Sequence, residues 1–241
     1  MTRTFKVLSA LLTYPTAELQ AAVAEMQEAV RSEAVLGGPP LKALDALFTE
    51  FAQGDLYDLQ ERYVLLFDRT RSLSLHLFEH VHGESRDRGQ AMIDLQNLYA
   101  GKGLAIGTTE LPDFVPLFLE FLSTQPRAEA YDLLGQPAHI FAALAERLRK
   151  RKSSYEAVFR ALVSLAKDKP KGETVAAMLQ GPDPDADDLA ALDAAWEDEP
   201  VRFGPSAGDN CKDSLIERIR AGRRPAPGLD TPGQRPILPT R

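Results

Sequence analysis

Apolar residues recur at every third or fourth position through most of the chain before residue 170. This spacing places apolar side chains on one face of a helix. The first such face carries Phe5, Leu8, Leu11 and Leu12, and Pro15 ends the helix that bears it. Almost no stretch alternates between apolar and polar residues with the period of two that is typical of strands. The pattern predicts an all-α fold.

Several of the predicted helices have recognisable first residues. We expect Thr16 and Asp55 to cap the second and fourth helices, because their side-chain oxygens can accept hydrogen bonds from the free N–H groups of the first turn. Pro126 and Pro137 stand at positions compatible with the starts of two later helices. In the fourth helix the apolar positions line up from Leu56 to Phe67, which predicts helix over that whole stretch.

The composition changes after Pro170. Residues 183–200 are rich in acidic side chains and contain no basic one, whereas residues 201–241 carry more basic than acidic side chains and many prolines and glycines. This composition favours a weakly ordered tail with two short helices, around residues 186–196 and 212–221.

We therefore predict two parts, an all-helical domain over residues 1–169 and an acidic, then Pro/Gly-rich tail over residues 170–241. We expect the domain to fold by itself and most of residues 204–241 to be mobile. The reason is that the tail has lost the apolar periodicity that a packed core needs.

The charge and the single cysteine narrow the class of protein. The net charge of −7 argues against a general nucleic-acid binder, because that class needs a dominant basic surface. Cys211 has no partner for an internal disulfide, which suits the reducing cytosol. No window reaches the roughly 18 apolar residues of a membrane span, and Tyr14-Pro15 cuts short the apolar stretch that a signal peptide needs. We therefore expect a cytoplasmic protein with no membrane span.

Three of the four histidines, His76, His80 and His82, lie close together. The run from His76 to His80 has the form H-x-x-E-H, in which two imidazoles one helical turn apart bind zinc while the glutamate, here Glu79, activates water. Such a site needs a third protein ligand, and no second motif marks Glu84, Glu110 or Glu120 as that ligand. We favour histidines that hydrogen-bond to neighbouring helices or line a groove, with no metal. A small zinc-dependent hydrolase is the alternative.

Arginines and acids are interspersed from Asp68 to Arg88, with Arg71 and Arg86 among them. Arginine side chains beside an apolar groove suit the binding of carboxylate or phosphate groups. The alternative is an exposed surface in which the charges pair with one another. A basic run, residues 147–152, stands at a predicted helix end, where solvated cations that complement the helix dipole are the favoured interpretation and anion binding is the alternative.

Two patterns between Tyr63 and Met92 carry a resemblance to a known family. A Tyr-x-x-Leu-Phe pattern is matched by Tyr63, Leu66 and Phe67, and a Pro-Tyr-x-Ser-Val-Tyr/His pattern is matched in part by Ser74, Leu75 and His76. Arg71 and Ser72 stand where Pro and Tyr occur elsewhere. The chain resembles the NarJ family of nitrate reductase assembly chaperones, within the wider TorD/DmsD group of redox-enzyme maturation proteins.

The resemblance implies a single helical-bundle domain of the TorD-like type that is a chaperone, not an enzyme, and binds no cofactor permanently. It implies the catalytic (alpha) subunit of respiratory nitrate reductase as the partner, bound chiefly through its N-terminal segment. The chaperone would keep this apo-subunit competent for insertion of the molybdenum cofactor before the subunit docks at the membrane.

We expect the client segment to bind in a groove between the helix of Tyr63 and Phe67 and the stretch 73–82. An amphipathic peptide can lay its apolar face into such a groove. The alternative for the apolar members is a place in the core. The candidate client-binding residues are Tyr63, Phe67, Arg71, Leu75, His76, Glu79, His80 and Arg86.

Overall fold

The computed structural model describes residues 2–82, 86–107, 110–181 and Asp183, apart from the side chains of His82 and Arg86. All regular structure in these residues is helical, which confirms the predicted all-α fold. The α-helices are α1 (Arg3–Leu11), α2 (Ala17–Ala21), α3 (Val23–Glu33), α4 (Gly38–Gln53), α5 (Leu56–Tyr63), α6 (Glu79–His82), α7 (Arg86–Gly101), α8 (Val115–Thr124), α9 (Arg127–Gly135), α10 (Ala138–Lys150), α11 (Glu156–Leu165) and α12 (Gly172–Leu179). Between α5 and α6 the chain forms a π-helical turn, Val64–Asp68, and a 3-10 turn, Arg71–Leu73.

The core forms where α1 packs against α3 and α8, and where α11 packs against α4 and α10. Ser9 donates a hydrogen bond to the backbone oxygen of Pro116, 2.7 Å away, and so ties α1 to α8. Burial of an apolar side chain in this core contributes about 1.5–3 kcal/mol. The apolar face predicted for α1 is fully buried, with 0% exposure at Phe5, Leu8, Leu11 and Leu12. Within the described stretches, no helix has the length and apolar character to cross a membrane.

The predicted helix starts are confirmed. The side chain of Thr16 accepts a hydrogen bond from the N–H of Leu19 at the start of α2. Asp55 caps α5, with its Oδ1 2.8 Å from the backbone nitrogen of Tyr57. The two prolines predicted at later helix starts immediately precede α9 and α10.

The α-helix that we expected to run from Leu56 to Phe67 ends earlier, at Tyr63. The chain continues as the π-helical turn, closed by a bond from the N–H of Arg69 to the backbone oxygen of Val64, 3.0 Å apart. Thr70 is 0% exposed, and its hydroxyl donates to the backbone oxygen of Leu65 at 2.7 Å. That oxygen is therefore engaged by a side chain instead of by a following α-helical turn.

Helix α12 lies beyond residue 169, where we predicted the domain to end. It packs against α10, and its Met178 oxygen accepts a hydrogen bond from Arg147 at 2.8 Å. The division of the chain at residue 169 stays a prediction, and the described chain continues past it as a helix that packs on α10. The short helices predicted around residues 186–196 and 212–221, and the mobile segment predicted over 204–241, lie outside the described residues.

The basic run at the end of α10 is not a uniformly solvated last turn, and that prediction is wrong for Arg147. Arg147 is 5% exposed, and its Nη1 donates to the backbone oxygen of Ser72 at 2.7 Å. The reason is that this turn of α10 faces α12 and the 3-10 turn, so the guanidinium is covered and bonds to backbone carbonyl groups of both. Arg149 keeps the expected surface position and pairs with Glu146.

Replacing Asp55 by Ala should lower the free energy of unfolding by about 1 kcal/mol, because first-turn N–H groups of α5 lose their acceptor. Asp55→Ser is the matched control and should keep most of the stability, since a serine hydroxyl caps a helix as well. Urea denaturation measures the free energy of unfolding of both variants. Equal stability of Asp55→Ala and the parent chain would contradict a role for this cap.

Candidate functional site

The candidate residues Tyr63, Phe67 and Leu75 lie in the core, where they are 5, 6 and 3% exposed. The hydroxyl of Tyr63 donates to the backbone oxygen of Leu12 at 3.0 Å, and its ring lies 5.1 Å from that of Phe67. Burial, and then the negative charge of Asp68, raises the pKa of Tyr63, so the hydroxyl keeps its proton. These three side chains lie beneath the protein surface and support the residues that are exposed there. Their direct contact with a client stays a prediction.

A groove of about 400 Å³ opens on the outer face of α5 and the π-helical turn. Tyr14 connects the groove to the core, because its ring packs edge-on against Tyr63 with 5.7 Å between ring centres. Tyr14 and Tyr57 are 47% and 79% exposed. The lining consists of Tyr14, Tyr57, Gln60, Glu61, Val64, Leu65 and Arg69. Exposed aromatic and apolar side chains in a concave surface are the arrangement that binds peptides.

Two carboxylates and one guanidinium group lie at this groove. Glu61 lines it, and the exposed Asp68 immediately precedes Arg69 of the lining. Partial burial of its carboxylate, and then the charge of Glu110, raise the pKa of Asp68. This is the response of a carboxylate that is partly covered and lies near another negative charge. A cation bound at this edge of the groove would relieve that repulsion.

His76 lies outside the helices, so the geometry assumed for a zinc motif is wrong. The backbone at His76 forms an isolated antiparallel bridge with Phe114, and α6 begins only at Glu79. His76 and His80 therefore do not share one helical turn. Nδ1 of His76 lies 3.2 Å from Oδ1 of Asp113. Among the residues that the structure describes, no three His, Cys, Asp or Glu side chains are grouped as metal ligands.

Asp113 organises this segment, although the sequence patterns did not mark it as a site residue. It is 0% exposed, and its Oδ2 accepts a hydrogen bond from the backbone N–H of Phe78 at 3.0 Å. Its backbone oxygen accepts a second bond from the N–H of Leu77 at 3.1 Å. The only local signal is a proline followed by a helix-capping residue type, and by itself that signal predicts a helix start.

His80 and Glu79 also have partners within the fold. Nε2 of His80 lies 2.8 Å from the backbone oxygen of Ser74, and since a carbonyl only accepts, Nε2 carries the proton. Burial lowers the pKa of His80, which favours the neutral imidazole that this bond uses. Glu79 accepts a bond from Arg88 at 3.1 Å, and both side chains are largely covered. His80 and Glu79 therefore both stabilise the local structure.

The structure brings the predicted site residues together only in part. His76 and Glu79 are partly exposed on one stretch of chain, with 26% and 24% of their side chains accessible. Arg71 is half-buried in the 3-10 turn. The side chain of Arg86 is not among the parts of the chain that the structure describes. The exposed aromatic residues of the groove, Tyr14 and Tyr57, were not predicted, because an exposed tyrosine has no sequence pattern of its own.

Comparison with known proteins identifies the family. The profile of the family described as nitrate reductase delta subunit matches residues 14–161. The chain is also 43% identical, over 210 residues, to the nitrate reductase molybdenum cofactor assembly chaperone NarJ of Escherichia coli K12. That alignment covers 87% of this chain and 88% of the relative. The chain belongs to the NarJ family.

Other members of the NarJ family align over most of their length. The probable nitrate reductase molybdenum cofactor assembly chaperone NarW of Escherichia coli K12 is 37% identical over 215 residues, which covers 89% of this chain and 90% of NarW. The probable chaperone NarJ of Bacillus subtilis 168 is 28% identical over 178 residues, covering 73% and 95%. The predicted resemblance is confirmed, and a member of the NarJ family is an assembly chaperone and not an enzyme.

Protonation of His76 should stabilise the fold in acid. The hydrogen bond to Asp113 raises the pKa of His76 and outweighs the opposing effect of burial. The folded chain therefore holds this proton more tightly than the unfolded chain. The contribution to stability is complete below about pH 6.5, and it disappears as the pH rises through the folded-state pKa.

Thermal melting of the parent chain and of His76→Gln tests this prediction. The melting temperature of the parent should exceed that of His76→Gln by more at about pH 5.5 than at about pH 8.5. His139→Gln is the matched control, because burial lowers the pKa of His139 and the pH dependence should have the opposite sign. A difference between parent and His76→Gln that is the same at both pH values would rule out the proposed proton binding.

Proposed function

We propose that this chain is an assembly chaperone for the catalytic (alpha) subunit of respiratory nitrate reductase. It binds the N-terminal segment of the apo-subunit in the cytoplasm and keeps the subunit competent for insertion of the molybdenum cofactor before membrane docking. The cofactor enters the client, and the chaperone holds none permanently. Relatives that align over most of the chain, named as molybdenum cofactor assembly chaperones of nitrate reductase, support this proposal.

The open groove on α5 and the π-helical turn is the observation that carries the binding part of the proposal. Tyr57 is 79% exposed at this groove, where its ring contributes little to the core. Val64 and Leu65 are half-buried on the same surface and extend its apolar area. A short amphipathic helix satisfies its own backbone hydrogen bonds, so it can place its apolar face against such a groove without leaving polar groups unpaired.

The charges near the groove suit the N-terminal end of a client. A free α-amino group is a cation, and Glu61, Asp68 and Glu110 bring negative charge to this region. The net charge of −7 also favours rapid encounter with a basic segment. In this arrangement the apolar lining supplies affinity, and the carboxylates orient the first residues of the client.

The residues predicted from the sequence form a second candidate surface. His76, Glu79 and Arg71 reach this surface with part of their side chains. Tyr63, in contrast, underlies the groove through its contact with Tyr14. The two surfaces expose different side chains, so one set of variants distinguishes them.

Tyr57→Ala should weaken binding of a peptide with the client's N-terminal sequence by about 1–3 kcal/mol. The melting temperature should stay unchanged, because Tyr57 is largely exposed. Isothermal titration calorimetry measures the affinity. Ile93→Ala is the matched control: Ile93 is 52% exposed on α7 and is not part of the groove lining. It should bind the peptide as the parent chain does.

Glu79→Ala and Arg71→Ala test the second surface in the same titration. If these variants lose affinity while Tyr57→Ala keeps it, the client lies on the His76 side and the groove assignment is wrong. If the folded parent chain binds the peptide no better than a scrambled control peptide, recognition of the client N-terminus is itself wrong.

A further inference from the structure

Two arginines at the end of α10 converge on the 3-10 turn. Arg147 is 5% exposed and donates from Nη1 to the backbone oxygen of Ser72 and from Nη2 to that of Met178, at 2.7 and 2.8 Å. Arg151 lies one helical turn later, and its side chain is 14% exposed. The result is a covered, positively charged corner between α10, α12 and the turn that carries Ser72.

Asp183 occupies this corner. Its Oδ1 accepts a bond from Nη2 of Arg151 at 2.6 Å and one from the hydroxyl of Ser72 at 2.7 Å, and its side chain is 18% exposed. Burial alone would raise the pKa of Asp183, but the hydrogen bonds from Arg151 and Ser72 and the charges of both arginines outweigh it and lower the pKa. The carboxylate is therefore bound in its ionised form.

We propose that Arg147, Arg151 and Ser72 form a carboxylate-binding site, and that its occupation by Asp183 holds the 3-10 turn in place. Three groups of the site act on this one side chain. Oδ1 of Asp183 accepts hydrogen bonds from Arg151 and Ser72, and the positive charge of Arg147 also lowers the pKa of the carboxyl group. The buried Nε of Arg147 has no hydrogen-bond partner within the described part of the chain. A covered, positively charged corner of this kind is stabilised by an ionised carboxylate.

Ser72 links Asp183 to the 3-10 turn. Its backbone oxygen is bound by Arg147 and its hydroxyl by Asp183, so both polar groups are engaged by residues far along the chain. The 3-10 turn is otherwise closed by short local bonds, from Leu73 to Thr70 at 2.8 Å and from Ser74 to Arg71 at 3.1 Å. Because 3-10 hydrogen bonds have poorer geometry than α-helical ones, such side-chain anchors help to hold the turn.

A double-mutant cycle between Asp183 and Arg151 tests the site in the full-length chain. Asp183→Ala and Arg151→Gln should each lower the melting temperature by about 3–6 °C, and the double variant should lower it no further than the larger single loss. Glu146→Ala, which removes the partner of the exposed Arg149 on the same helix, is the control and should have little effect. Strictly additive losses at Asp183 and Arg151 would overturn the proposed pairing.

Two further measurements on Asp183→Ala separate a vacated anion site from a general loss of packing. Sodium sulfate, compared with chloride at equal ionic strength, should raise the melting temperature of this variant more than that of the parent. Amide hydrogen exchange of Leu73 and Ser74 should become faster by about fivefold or more. If sulfate acts equally on both proteins, or if exchange at the turn is unchanged, Asp183 serves only to hold α12 and the proposal is wrong.

Discussion

The chain between Val64 and Phe78 is buried in large part but is not α-helical, and the surrounding structure depends on that constraint. A buried backbone outside regular structure must find other hydrogen-bond partners, because an unpaired N–H or carbonyl costs about 1–3 kcal/mol. Several of these partners are side chains. Thr70 bonds the oxygen of Leu65, Arg147 that of Ser72, His80 that of Ser74, and Asp113 the N–H of Phe78.

This requirement explains why residues with catalytic potential are used structurally. Within the H-x-x-E-H run, His80 bonds to the backbone oxygen of Ser74, and His76 bonds to Asp113. Glu79 pairs with the side chain of Arg88. All three motif residues therefore stabilise the fold. Arg147 likewise donates to two backbone carbonyl groups. It is covered, although it lies at a helix end where cations usually remain solvated.

The same segment connects the two surfaces to which we assign binding. On one side it begins with the π-helical turn, whose outer face lines the groove proposed for the client. On the other side the hydroxyl of Ser72 donates a hydrogen bond to Asp183 in the proposed carboxylate site. A change at the carboxylate site would reach the client surface through only a few residues, because the intervening chain has little regular structure of its own to absorb it.

The sequence by itself determined the helices, their caps and the family. Apolar periodicity and helix capping depend on residues within about four positions of one another, so the buried face of α1 and the cap at Asp55 were predictable, as was the Tyr63–Phe67 pattern. Only the tertiary structure decided which partners the buried polar groups take. His76 meets Asp113 across 37 positions, and Arg147 meets Ser72 across 75. Such pairs are selected by how helices pack, and no local spacing records that geometry.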